Sequence, residues 1–255
     1  MIFFHHWELI KHLMKREIIV RYKQSFLGFF WIILNPFFQM VIMSFVFSYI
    51  MNVQQLGVPY PVYLYAGLLP WTFFATSLSS ATNVLVDNAS LIKKIYFPRE
   101  ILIIATLMAK VFDFFLASFV FILLMLWFHV AFSWYMLLFF PIFLLQFMFT
   151  YAVSLLLSFL NLMYRDVQYL VNLAIMLWFY VTPVLYAVEF FPARYRWIFQ
   201  INPMSVFINA YRQVLLGKNF PNWSSLGIGV IVTTVIFIIS HRLFKKAEGM
   251  FADIV

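Results

Sequence analysis

Seventeen lysines and arginines are spread through 255 residues, and they avoid six long apolar runs almost entirely. They collect in alternate gaps between those runs. Lys11, Lys15, Arg16, Arg21 and Lys23 precede the first run, and the next gap has none. Lys93, Lys94 and Arg99 fill the following gap, and the one after that is again empty. Then come Arg165, a long mixed segment, and a tail with Arg242, Lys245 and Lys246. This alternation is the positive-inside pattern of a polytopic membrane protein, whose cytoplasmic loops keep an excess of basic residues. It places both termini on the inner side. Only Arg194, Arg196, Arg212 and Lys218 fall outside, all in one long segment, and such segments follow the rule weakly.

The runs also have the right length, since about 20 apolar residues at ~1.5 Å each cross a roughly 30 Å hydrocarbon core. They are Phe29–Met51, Val62–Val84, Ile101–Phe128, Trp134–Leu160, Tyr169–Val188 and Trp223–Leu243. Backbone groups in lipid must be satisfied within the segment, so each run reads as a helix, and a barrel would show short alternating stretches instead. The expected fold is an all-α integral membrane protein with six transmembrane helices, an amino-terminal amphipathic interfacial helix and short re-entrant helices before the last span. A single transmembrane domain, 1–255, is expected to account for the chain, with no soluble appendage and no cleavable leader expected at its charged start. Apolar residues make up 65% and charged residues 10%, where a soluble domain carries about 25% charged. The net charge of +8 lies beside spans, where it serves orientation and anionic lipid contact, so no nucleic-acid partner is expected.

Residues 1–27 are amphipathic. Trp7, Ile10, Leu13, Met14, Ile18 and Tyr22 share one face, while Glu8, Lys11, His12, Lys15, Arg16 and Lys23 share the other. Glu17 and Arg21 interrupt the apolar face, but four residues apart they can pair. This favours a helix at the inner interface over a plain leader. Segment 189–222 holds Pro192, Pro203 and Pro221 and two apolar patches, Trp197–Ile201 and Met204–Leu216, too short to cross. Patches of that length read as re-entrant or interfacial helices.

No constellation looks catalytic. Cysteine is absent, which removes disulfides and thiolate chemistry. There is no GxxxxGK[ST] loop to cradle a nucleotide. His5, His6 and His12 cluster near the start without a zinc-binding helical spacing. Lys110 and Asp113 are the only charges deep in a run, roughly 14 and 18 Å along the helix from Ile101. Three residues apart, they share a face and are expected to pair, because a lone charge there costs about 2.5–3.5 kcal/mol or more. They either line a pathway or lock this helix to a neighbour. Phe30, Trp31 and Asn35, then Trp71 and Thr72, then Trp178, Tyr180 and Thr182 set aromatic rings beside polar groups. Such a lining suits a sliding carbohydrate, and packed or lipid-facing rings are the plainer reading of each. Pro36, Pro70 and Pro183 should bend or break their helices.

Six strings carry a resemblance: RYKQSFLGFFWIILNP (Arg21–Pro36), AGLLPWTFF (Ala66–Phe74), NASLIKKIYFPREIL (Asn88–Leu102), NLMYRDVQYLV (Asn161–Val171), TPVLY (Thr182–Tyr186) and INPMSVFINAYRQVLLG (Ile201–Gly217). In this order they resemble the membrane subunits of ATP-binding-cassette exporters for polysaccharides and polyol phosphates, which move lipid-linked O-antigen, capsule and teichoic-acid polymers. The resemblance implies a homodimer in the bacterial cytoplasmic membrane, driven by two copies of a separate ATPase that binds the ATP and Mg²⁺. It implies a cytoplasmic coupling loop at 87–100, with Lys93, Lys94, Tyr96, Phe97 and Arg99 facing the ATPase and Pro98 ending the loop's helix. Arg165 and Asp166 match the family's YRD string and would add a second contact. Phe30, Trp31, Trp71, Trp178 and Tyr180 would line the pathway, and Pro203, Tyr211 and Arg212 would belong to an outer gate. Many relatives carry an acidic residue where this chain has Asn209. The alternatives are an exporter of lipids or drugs, a membrane enzyme of lipid-linked sugar metabolism, which would show clustered carboxylates or histidines, and a passive channel.

Overall fold

The computed structural model describes residues 6–23, 28–50, 57–217 and 219–251. His5, Met51, Lys218 and both ends of segment 1–27 therefore lie outside the described residues. Ten α-helices run in order among the described residues, with no strand: α1 (Trp7–Tyr22), α2 (Phe30–Ser44, continued by a π-turn Phe45–Ile50), α3 (Tyr60–Asp87), α4 (Ala89–Lys94), α5 (Glu100–Trp127), α6 (Phe139–Met163, preceded by a 3₁₀ turn Trp134–Leu138), α7 (Val167–Val181), α8 (Trp197–Ile201), α9 (Pro203–Leu215) and α10 (Trp223–Ala247).

Six of these helices lie on the six apolar runs. By length and composition, four are fit to cross a membrane: Phe30–Ser48, Glu100–Trp127, Trp134–Met163 and Trp223–Met250. The other two differ for separate reasons. Helix α3 has 28 residues, but the stretch Thr76–Asn83 dilutes its hydropathy with hydroxyls and an amide. Ser77, Leu78, Ala81 and Thr82 of that stretch are buried, and α3 is the central helix, packed on α2, α5, α6, α7 and α9. Helix α7 has 15 residues, about 22 Å at 1.5 Å per residue.

The apolar run extends to Val188 with Pro183 expected to bend or break it, and the helix stops at Val181. Thr182 precedes Pro183, and the proline ring pushes the residue before it out of the helical region, here to φ −92° and ψ 135°. Non-helical backbone at membrane depth survives only where protein covers it and satisfies it. Thr182, Pro183, Val184, Leu185 and Ala187 are all buried. Asn202 caps α9 by accepting from the Met204 amide at 3.1 Å, and Pro203 fills the first helical position, where a missing N–H costs nothing.

Polar side chains tie the helices together, as expected where apolar contact gives no preference for protein over lipid. Gln146 on α6 donates to the Pro70 carbonyl of α3 at 2.8 Å and accepts from Tyr211 Oη of α9 at 2.8 Å. Tyr65 on α3 donates to the Ala117 carbonyl of α5 at 3.1 Å. Asn161 on α6 donates to the Thr82 carbonyl at 3.0 Å and to Asn83 Oδ1 at 3.1 Å, and accepts from the Gln168 amide of α7 at 3.0 Å. Outward, the surface is apolar and aromatic. Trp127, Trp134 and Trp223 stand exposed near helix ends, the placement of an interfacial aromatic belt.

Helix α1 packs along α5. Ile10, Leu13 and Ile18 of the predicted apolar face are buried, whereas Trp7 is exposed. Arg21 and Glu17 pair at 3.0 Å as their spacing predicts. On the opposite face Glu8 accepts from Lys11 at 2.6 Å, and that hydrogen bond holds its carboxyl below the ordinary value.

Candidate functional site

Two places concentrate polar and charged groups, one at each end of the helix array. The first is the end that carries α4. After the short helix Ala89–Lys94 the chain turns extended at Ile95, φ −133° and ψ 133°. The helix thus stops four residues before Pro98, not at it, and Pro98 lies just ahead of α5. Ile92 and Phe97 are buried in a core formed by α1, α3, α5, α6 and the carboxyl-terminal helix. Between these two anchors Lys93, Lys94, Ile95 and Tyr96 all face outward, Tyr96 being 89% exposed.

Phe97 and Arg99, expected among the outward-facing residues, are instead buried. Phe97 is apolar and finds cover in the core. Arg99 folds its guanidinium over the Tyr96 ring at 5.2 Å and donates its backbone N–H to Glu248 Oε1 at 2.7 Å. Glu100 Oε1 lies 2.9 Å from Lys245 Nζ, which also reaches Glu248 Oε2 at 3.0 Å. Tyr151 of α6 donates to Glu100 Oε2 at 3.3 Å. Loop 95–99 is therefore strapped to α6 and α10 through two carboxylates that sequence reasoning did not single out. Glu248 is three residues from Lys245, a local spacing, but the Glu100–Lys245 pair and the bond from the Arg99 amide to Glu248 are long-range, and no local pattern announces them.

The turn between α6 and α7 lies at the same end, because Asn161 joins it to Thr82 and Asn83 of α3. Tyr164, Arg165 and Asp166 are exposed there, and Arg165 shares a small cleft with Asn83, Asp87 and Asn161. Arg16 of α1 donates to Asn88 Oδ1 at the start of α4.

Lys110 and Asp113 do not pair with each other. Asp113 instead accepts from Arg21 of α1 at 2.5 Å, and among the described residues Lys110 makes no ion pair with it. Three residues of helix bring two side chains to one face, but Arg21 reaches over from α1 and offers a forked guanidinium. The pairing locks α1 to α5. Both residues, with Arg21, Trp31, Asn35, Thr72 and Thr76, border a cleft of about 220 Å³ between α2, α3 and α5.

The five aromatics expected along a pathway divide in two. Phe30, Trp31 and Tyr180 are exposed, whereas Trp71 is buried. Trp71 packs on Phe74 at 5.7 Å and Phe179 at 5.5 Å between ring centroids. Trp178 is half-buried: its ring meets Phe74 edge-on at 5.2 Å, and its Nε1 donates to Asn202 Oδ1 at 2.9 Å. Trp71 is thus enclosed by helix packing, while Trp178 packs on one side and keeps part of its surface accessible.

At the opposite end Arg212 of α9 is 6% exposed. It donates to the Pro183 carbonyl and to the Val184 carbonyl, both at 2.6 Å, and stacks on the Tyr63 ring at 3.7 Å. Tyr60 donates to the Leu185 carbonyl at 2.8 Å. The unwound segment after α7 is satisfied by these two side chains. A Cβ on Gly67 would stand 2.7 Å from the Arg212 guanidinium, so glycine there makes the room. Of the expected gate residues, Tyr211 is fully buried on Gln146 and Pro203 begins α9.

The model of the family "ABC-2 type transporter" matches residues 8–216. Two sequences named O-antigen export system permease protein RfbA from Klebsiella pneumoniae are 31% and 32% identical, each alignment covering 97% of this chain and 95% of the relative. A protein of the same name from Myxococcus xanthus is 29% identical over 96% of this chain and 94% of its own length. The polysialic acid transport protein KpsM of Escherichia coli is 30% identical over 82 residues, 32% of either chain.

Proposed function

The chain belongs to the ABC-2 type transporter family, and on that premise we propose that it is the permease subunit of an ATP-driven exporter of lipid-linked polysaccharide. It is a multi-pass membrane protein. The names carried by its near-full-length relatives, O-antigen export permeases, support the substrate class. In this reading six helices, α2, α3, α5, α6, α7 and α10, cross the bacterial cytoplasmic membrane with both termini inside, and α8 and α9 enter the outer leaflet and return. Two copies form the passage. A separate ATPase holds ATP and Mg²⁺ and supplies the motion.

One observation carries the coupling assignment. Four consecutive side chains, Lys93 to Tyr96, stand in solvent between two buried anchors, Ile92 and Phe97. An exposed apolar pair beside two lysines, held rigidly from both sides, suits a cleft on another protein. Its position between α3 and α5 lets a push reach the two most closely packed helices. ATP binding closes the ATPase pair, the loop follows, and the helices part to admit the glycan from the inner leaflet. Arg165 and Asp166 offer a second contact at the same end.

The test is the triple substitution Lys93→Ala, Lys94→Ala and Tyr96→Ala in cells that express the ATPase. Exposed positions tolerate such changes within about ±0.5 kcal/mol, so the subunit should accumulate normally. Export and co-purification of the ATPase should both be lost. Normal export by this variant would remove the coupling assignment.

A further inference from the structure

A cavity of about 570 Å³ opens at the end opposite α4, between the start of α3, helices α8 and α9, and the start of α10. Small-ligand sites span about 300–1,000 Å³. Four amides stand in the wall beside Ser225, Glu189 and Arg196: Gln200 on α8, Asn209 and Gln213 one turn apart on α9, and Asn222 at the head of α10. An amide side chain offers an acceptor and two donors. Among the described residues Gln200 and Asn209 spend none of theirs on protein groups, and Gln213 uses only Oε1, to accept from the Asn222 amide at 2.9 Å. The floor is Arg212, whose Nε is buried without a hydrogen-bond partner. Tyr63 and Phe199 supply the aromatic wall.

This combination selects its ligand by chemistry. An acyl chain would leave the half-buried amides of Asn209 and Gln213 unpaired and gain nothing from the exposed ones of Gln200 and Asn222. A simple anion would meet Glu189 as well as Arg196 at the rim and would use little of the amide surface. A sugar ring presents hydroxyls that both donate and accept, matching amides, and C–H faces that pack on aromatic rings.

We propose that this cavity is a glycan-binding subsite at the outer mouth, holding one or two sugar units of the chain as it emerges. The proposal rests on the export reading, because that reading puts this end outside. Its role is to hold the emerging polymer between strokes, so that the chain does not slide back when the passage relaxes. Asn209 is one half-buried residue of the cavity wall, which suits it to report occupancy.

The native sequence has no cysteine, so single-cysteine reporters need no background removal. Asn209→Cys is made in the full chain, co-expressed with its ATPase, and right-side-out membrane vesicles are exposed to a membrane-impermeant maleimide. Delipidated surface polysaccharide from the host strain is the probe. Labelling from outside should slow saturably, about tenfold at ten times the half-protecting concentration. A second reporter, Trp134→Cys, at a site 86% exposed on another loop, should label at one rate throughout. If Asn209→Cys does not accumulate, Gln200→Cys at the rim takes its place. Outside labelling that the glycan leaves unchanged overturns the subsite while export stands. Labelling only in inverted vesicles overturns the orientation, and the subsite with it.

Discussion

Two cations hold two irregular pieces of this chain, and they do so by unlike chemistry. At the α4 end Lys245 sits between the carboxylates of Glu100 and Glu248, 2.9 and 3.0 Å away. At the other end Arg212 meets no carboxylate among the described residues and is held by the carbonyls of Pro183 and Val184. Lysine is a compact, rotatable point charge, so its pairs break and reform as helices shift. The arginine fork matches two fixed acceptors at once and makes a rigid clamp. The first arrangement suits a joint through which force passes. The second suits a segment of unwound backbone that must not move, because lipid offers its carbonyls nothing.

Substitutions can separate the two. Arg212→Leu strips two charge-assisted hydrogen bonds and leaves buried carbonyls open, a loss of about 3–6 kcal/mol. Thermal unfolding of the purified subunit in nanodiscs measures it. Gly67→Ala should mimic that loss in part by forcing the guanidinium aside. A subunit with Arg212→Leu as stable as wild type would show that the clamp does not hold the segment.

Glu100→Gln keeps the shape of the side chain and an acceptor for Tyr151 but removes the charge facing Lys245. With Lys245 partly exposed and still paired to Glu248, the stability loss should be only about 1–2 kcal/mol. The larger effect should fall on coupling: ATP hydrolysis by the assembled transporter continues while export per ATP drops. Export and hydrolysis falling together would assign Glu100 to folding alone.

The smallest effect is expected at Arg21 and Asp113. A double-mutant cycle with Arg21→Met and Asp113→Leu should return a coupling of about 1 kcal/mol, within the range of interhelical hydrogen bonds in membranes. The same cycle run on Lys110 and Asp113 should return less. A larger coupling for Lys110 would restore the pairing that helical spacing alone suggests.

That pair shows where sequence reasoning reaches its end. Glu17 and Arg21 are four residues apart and do pair. Lys110 and Asp113 are three apart and do not, because Arg21 arrives from another helix. The two short helices of segment 189–222 were legible from Pro192, Pro203, Pro221 and two apolar patches. The early end of α7 was legible from Pro183, although hydropathy alone runs on to Val188. Glu100 gave no signal, since it is an ordinary acidic residue until the fold brings it to Lys245, and Glu248, three residues from Lys245, offered a local pair but no sign of its bond to the Arg99 amide. Trp71 reads as lining because composition cannot tell an aromatic ring turned toward a channel from one turned toward a neighbour.

Local chemistry, then, settled which stretches are greasy helices, where prolines interrupt them and which loops hold the cations, since each depends on residues a few positions apart. Packing alone decided which polar group meets which. In lipid the apolar surfaces of helices are nearly interchangeable, so partners are chosen by a handful of buried hydrogen bonds between residues as far apart as Pro183 and Arg212 or Arg99 and Glu248.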